Sequence, residues 1–176
     1  MKLTSLDLGI LSELMKNAKM SDREVAENLR VSQPTVTRRR KRLENAGIVR
    51  EYTAIPDFQR VGYHIMAITL LKYSLDVASD GQRQLDVRKK ALEIVEQSPC
   101  ELVMAEGGMG IGYDGMTVSF HKDYPAYVEF KSWLRQALPL KATKIDSFLV
   151  DLRDKIHYRA LTFATLAKHL LTLREE

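Results

Sequence analysis

Arg38, Arg39, Arg40, Lys41 and Arg42 stand in a row. Five adjacent cations can do one kind of chemistry unaided: they attract phosphates and hydrogen-bond the edges of bases. Their setting makes the run more than a solvated face. Ser32 offers a helix N-cap, Pro34 falls in the first turn where its missing N–H costs nothing, and Gly47 supplies a stop. Val36, Leu43 and Ala46 are the apolar stripe of the helix so bounded. The opposite face carries Gln33, Thr35, Thr37, Arg38 and Lys41. The early residues, from Ser32 onward, would enter a major groove N-terminus first. Arg pairs bidentately with guanine and Gln with adenine. Arg39 and Arg42 read as phosphate contacts, which position a protein without carrying sequence information. Arg40 lies four residues after Val36, on the side that should be buried. Its stem is expected to pack on apolar neighbours while its head reaches solvent.

Other patterns look like chemistry and read as something else. Gly110-Ile111-Gly112-Tyr113-Asp114-Gly115 matches GxGxxG. A dinucleotide site needs that motif to open a helix. Here Met116 to Phe120 follows, which is a strand pattern. The glycines suit a loop in which backbone N–H groups approach a carboxylate closely. Gly110, Gly112, Tyr113 and Asp114 are therefore the candidate small-ligand residues. His64, His121, His157 and His169 share no metal-ligand spacing. The single cysteine, Cys100, has no activator in view and no partner for an internal disulfide. No catalytic residue, metal site or cofactor is expected.

The elements that must position the basic run come next. Leu6, Ile10, Leu11, Leu14 and Met15 predict a helix over Ser5 to Asn17. Ser21 and Glu24 form a capping box for a second, ending near Arg30. Ile48 to Ala54 reads as a strand, broken by Pro56. Helix, tight turn, helix and strand is the layout of a winged helix-turn-helix. Residues 1 to 60 carry 12 Lys and Arg against 8 Asp and Glu, while the remainder carries 15 of each. All of the net charge of +4 thus lies in the first third. A cationic module is joined to a neutral one, and a polyanion is the partner that the first would take. No apolar run is long enough to span a membrane, and no signal-peptide pattern opens the chain. A cytoplasmic protein is expected.

Residues 56–63 read as a linker. Strands are predicted over His64 to Tyr73, Cys100 to Glu106, Gly115 to His121 and Ile145 to Leu152. Helices are predicted over Asp80 to Gln97, on Leu85, Arg88, Leu92 and Val95, and over Asp123 to Leu138, on Tyr127, Phe130, Leu134 and Leu138. The order βαββαβ is the ferredoxin-like arrangement, with both helices on one face of the sheet. In the first strand Ile65, Ala67 and Leu71 point one way, and Met66, Ile68 and Leu70 the other. Both faces are apolar, so the uncovered one should find a second copy of the same domain. The fold class is α+β: a winged helix-turn-helix over 1–55, the linker over 56–63, a ferredoxin-like domain over 64–153 and a helical extension over 154–176.

Together these residues resemble the Lrp/AsnC family of prokaryotic transcription regulators. The likeness rests on Leu6-Asp7, Ile10-Leu11, Leu14, Met20-Ser21, Glu24-Val25-Ala26, Leu29, Ser32, Thr35-Val36, Arg39, Arg42-Leu43-Glu44 and Gly47-Ile48-Val49. In the second part it rests on the βαββαβ order and on Tyr113-Asp114 before a strand. The resemblance implies an N-terminal domain that binds double-stranded DNA and a homodimer, often stacked into tetramers or octamers. It also implies a C-terminal domain that often senses an amino acid. Three features depart from the family. Arg40 stands where Ile or Val is usual. Gly107 to Gly112 is longer and richer in glycine. The tail from Arg153 to Glu176 runs past the usual end, with Phe163, Leu166, Leu170 and Leu173 spaced as an amphipathic helix.

The function expected is sequence-specific transcription regulation, open to modulation by an amino acid or other small ligand. One alternative is an architectural DNA binder of low specificity. Another is an enzyme, since siroheme decarboxylases are similar to this family in architecture. Their helix-turn-helix-like part need not bind DNA, whereas this chain concentrates positive charge there.

Overall fold

The computed structural model describes residues 2–73, 89, 92, 93, 95, 96, 101–137, 142–156 and 160–172. Two compact units result: Met1–Ile55 with Tyr158–Glu176, and Pro56–His157. Among the described residues no helix is long and apolar enough to cross a membrane.

The first unit is built on three capped helices. Thr4 caps α1 (Ser5–Lys16) in a capping box with Asp7, and Ser21 caps α2 (Asp22–Leu29) in another with Glu24. Arg30 takes the left-handed conformation at φ 54° and turns the chain within three residues into α3 (Gln33–Asn45). Ser32 is the N-cap of α3 by its backbone angles. Its hydroxyl meets the Thr35 hydroxyl at 2.8 Å instead of a backbone N–H. The helix stops in a Schellman motif. Ile48 N–H donates to Leu43 O and Gly47 N–H to Glu44 O, with Gly47 at φ 67°. Ile10, Leu14, Val25, Ala26, Val36 and Leu43 make the core. Gly9 marks the close approach of α1 and α2: a Cβ there would sit 3.1 Å from the Leu29 side chain, which would have to shift by a few tenths of an ångström.

Two expectations change here, and a third, the helical tail, gains a seat. Ile48 to Ala54 is not a strand. A strand needs a second extended run to satisfy its backbone groups, and the described residues of this unit offer only helices. Ala46, placed in the apolar stripe, is the exposed C-cap of α3. The tail forms a helix, α5 (Ala164–Leu170), that packs on α1 of its own unit. There the Ser12 hydroxyl donates to the Ala167 carbonyl at 2.8 Å, and both residues are buried. This contact also accounts for the burial of Leu8, one turn before Ser12 on the same face.

The second unit is a four-stranded antiparallel sheet of β1 (Ile65–Tyr73), β2 (Leu102–Gly110), β3 (Tyr113–His121) and β4 (Ala142–Asp151), ordered β2-β3-β1-β4. That is the ferredoxin-like order. Helix α4 (Tyr124–Ala137) follows β3, with the Asp123 carboxylate accepting from Ala126 N–H at 2.8 Å. Phe130 and Leu134 of α4 pack on Leu71. The helix expected over Asp80 to Gln97 lies outside the described residues, apart from Lys89, Leu92, Glu93, Val95 and Glu96, which are helical.

Ala67, Thr69 and Leu71 are buried, while Met66, Ile68 and Leu70 of the other face are only partly so. Met66 pairs with Phe120 and Val150, and Ile68 with Val118 and Phe148, which continues that apolar face across the sheet. Phe148 is 68% exposed. The stretch read as a linker packs on one end of this face: the Phe58 ring stacks on Phe120 at 4.1 Å.

Gly107 to Gly112 is not a loop. Gly107, Gly108, Met109 and Gly110 belong to β2, and only Ile111 and Gly112 turn the hairpin, both at positive φ. The GxGxxG match therefore leads into strand β3, where a pyrophosphate site would need a helix N-terminus.

Candidate nucleic-acid interface

The basic run lies on α3 and splits by hydrogen bonding. Arg39 and Arg42 reach α1. Arg39 Nη1 donates to Asp7 Oδ1 at 3.0 Å and to the Thr4 hydroxyl at 2.8 Å. Arg42 Nη2 donates to both Asp7 oxygens at 2.9 and 2.8 Å. Asp7 is fully buried, so two guanidiniums and a cap surround one carboxylate. Burial alone would push its pKa up. Hydrogen bonds from the Thr4 hydroxyl and amide, then from Arg39 and Arg42, outweigh burial and hold it down at about 2.

That depression has a pH signature. Asp7 contributes its stability fully above its ordinary value of 3.8 and loses it as pH falls through about 2. Acid titration followed by far-UV circular dichroism is expected to show helix loss setting in between about pH 4 and pH 2. Asp7→Asn should remove that part of the pH dependence. An unchanged acid profile in Asp7→Asn would refute this assignment.

Arg40 goes the other way. Its Nη1 donates to Asp22 Oδ1 at 3.1 Å and its Nε to the Tyr52 hydroxyl at 2.9 Å and Glu44 Oε1 at 3.3 Å. The guanidinium carbon sits 4.9 Å from the Tyr52 ring centre. The head, expected to reach solvent, is instead held by this fixed set of partners, with the side chain 20% exposed.

Arg38 and Lys41 remain. Both are exposed, and neither has a hydrogen-bond or ion-pair partner among the described residues. They lie three residues apart, hence on one face of α3. Gln33 and Thr37 are exposed too, and Gln33, Thr37 and Lys41 line one shallow, open groove. Thr37 donates its hydroxyl to Asp22 Oδ2 at 2.7 Å, leaving its oxygen free to accept. Ser32 is exposed and Thr35 half-buried, joined to each other.

Sequence reasoning did not single out Asp7, Asp22, Glu44 and Tyr52 as partners of the run. The available signal was weak: an acidic residue three after Thr4 at a helix start, read there only as part of a pattern.

The four candidate ligand residues sit at the β2–β3 hairpin. Gly110 ends β2, Gly112 is in the turn, and Tyr113 and Asp114 open β3. Tyr113 donates its hydroxyl to Asp146 on β4, where Lys144 Nζ also pairs with Asp146 at 2.8 Å. Asp114 Oδ2 accepts from Tyr73 N–H at 2.9 Å. Tyr113 and Asp114 thus tie the hairpin to β4 and β1. His121 is buried in the same unit, its Nε2 at 2.8 Å from the Ser119 hydroxyl and its ring against Tyr127 and Phe130. Burial lowers its pKa, against a smaller rise from Glu101, as expected of a neutral core histidine.

Known proteins share parts of this sequence and this fold. Residues 3–50 match the family described as winged helix-turn-helix DNA-binding. The HTH-type transcriptional regulator LrpC of Bacillus subtilis is 38% identical over 68 residues, 39% of this chain and 47% of that protein. The chain spans about half the length of the curated relatives it matches. An AsnC family transcriptional regulator from Agrobacterium tumefaciens shares the fold, with a TM-score of 0.69 and 20% identity over 89% of this chain and 94% of its own. The transcriptional regulator NMB0573 of Neisseria meningitidis, solved as a complex with L-Met, has a TM-score of 0.69 and 24% identity over 94% and 99%. Over residues 3–50 the chain carries a winged helix-turn-helix DNA-binding segment, in sequence it is similar to LrpC there, and its fold is that of the AsnC family regulator.

Proposed function

We propose that this protein is a sequence-specific, DNA-binding transcription regulator that works as a dimer or higher assembly. One observation carries the reading. Of the five adjacent cations on α3, three are tied to acids within the fold, and Arg38 and Lys41 are left facing outward beside Gln33. A helix that presents unpaired Arg and Lys next to amide and hydroxyl groups matches what a major groove offers: phosphates at its rim and acceptors within. Ser32, Thr35 and Thr37 supply the remaining polar contacts, and Arg42, half of whose side chain is exposed, keeps donors free for a phosphate. Arg39 contributes through Asp7 rather than through DNA.

The apolar outer face of the sheet supports dimerisation. A second copy covering Met66, Ile68, Val118 and Phe148 would bring two copies of α3 to successive major grooves, so the target is a near-palindrome. The L-Met held by the Neisseria protein supports an amino acid as effector here, near Gly110, Gly112, Tyr113 and Asp114.

The test is a fluorescence-anisotropy titration of duplex DNA, selected from a random pool, across a range of salt. Affinity is expected to fall steeply, with a log–log slope of about −0.9 for each phosphate neutralised. L-methionine added to the same titration is expected to shift the affinity. Absence of binding at low salt would overturn the proposal. Equal affinity for selected and random duplex would favour an architectural role instead.

A further inference from the structure

Arg40 departs from the apolar residue its position would favour, and the structure shows what the charge meets. Its partners are Asp22, Glu44 and Tyr52, and Tyr52 in turn donates to Glu44 Oε1 at 2.6 Å. Asp22 and Glu44 are not remote from the reader face. They line the same groove as Gln33, Thr37, Lys41 and Arg40. That groove holds two cations against two carboxylates. Remove Arg40, and the groove lining keeps Lys41 against Asp22 and Glu44, a net charge of −1 beside the face meant for a polyanion. A field of that sign lowers the local concentration of DNA and slows its approach.

We infer that Arg40 is a positioning residue for DNA binding. It masks Asp22 and Glu44 on the groove and holds Tyr52 against α3, without touching DNA itself. The inference rests on the DNA-binding reading and extends it to a residue whose guanidinium is held by the acids of the groove. It also gives Tyr52 a role. The segment after α3 has no strand partner among the described residues, and this cluster is what fastens its aromatic ring to the reader helix.

The test uses the full chain and random-sequence duplex DNA at one low salt concentration, with folding verified by circular dichroism. Arg40→Met keeps the stem and removes the charge, and its affinity is expected to fall about tenfold. Adding Asp22→Asn and Glu44→Gln to Arg40→Met should restore affinity to within about threefold of the parent. Amides replace the carboxylates without rebuilding the ties to Arg40, so a purely structural role would not be rescued. Should Arg40→Met fail to fold, the pair Asp22→Asn and Glu44→Gln with Arg40 retained must bind at least as tightly as the parent. Parent-like affinity in Arg40→Met, a triple variant as weak as Arg40→Met, or weaker binding by the Asn/Gln pair would each overturn the inference. A parallel Arg38→Ala/Lys41→Ala variant separates the two levels. If it binds like the parent, the reader-helix reading itself has failed, and this inference falls with it.

Discussion

Asp7→Ala is expected to destabilise the N-terminal unit by about 3 to 5 kcal/mol, enough to unfold it under conditions where the parent chain is intact. The size follows from burial and partner number. Asp7 has no exposed surface and accepts from the Thr4 amide and hydroxyl, Arg39 Nη1 and Arg42 Nη2. Its loss leaves Arg39 with a partly buried charge and no carboxylate, and Arg39 Nε is already without a partner among the described residues. It also removes the second half of the α1 capping box. By contrast, Arg42 is nearly half exposed, so Arg42→Ala is expected to cost about 1 kcal/mol, within the range of surface pairs. Urea unfolding followed by far-UV circular dichroism reads both. A midpoint for Asp7→Ala equal to that of the parent would show that the Asp7 cluster does not hold α1 to α3.

What the sequence made legible was mostly local. Both ends of α3 were readable because Pro34 and Gly47 act on their own backbone, and the Ser21–Glu24 box works within one turn. The strands were readable from alternation, and their order from the sequence of elements. The failures are all matters of distant pairing. Asp7, more than thirty residues earlier in the chain and within 3.0 Å of both Arg39 and Arg42, was not legible as their shared partner. Ile48 to Ala54 has the composition of a strand, but a strand is a property of two segments, and the second is missing from the described residues. The glycines of 107 to 110 suggested a loop because glycine is permissive; pairing with β3 makes them strand residues instead. The tail's periodicity was visible, but its seat on α1 depends on the Ser12–Ala167 contact, 155 residues apart in the chain.

The second large effect concerns DNA. Among the described residues, Arg38 and Lys41 are the two outward members of the run with no hydrogen-bond or ion-pair partner. Since neither supports the fold, replacing both should leave unfolding unchanged while removing a base-edge or phosphate contact at each position. Contacts of this kind are worth about 1 to 3 kcal/mol each, so the pair amounts to roughly a hundredfold in affinity. The decisive measurement is therefore the affinity of Arg38→Ala/Lys41→Ala for selected duplex DNA, beside the parent and at the same salt. About a hundredfold weaker binding, with an unchanged urea midpoint, is the result this account predicts. Binding within about threefold of the parent would contradict it and take the reading function away from α3.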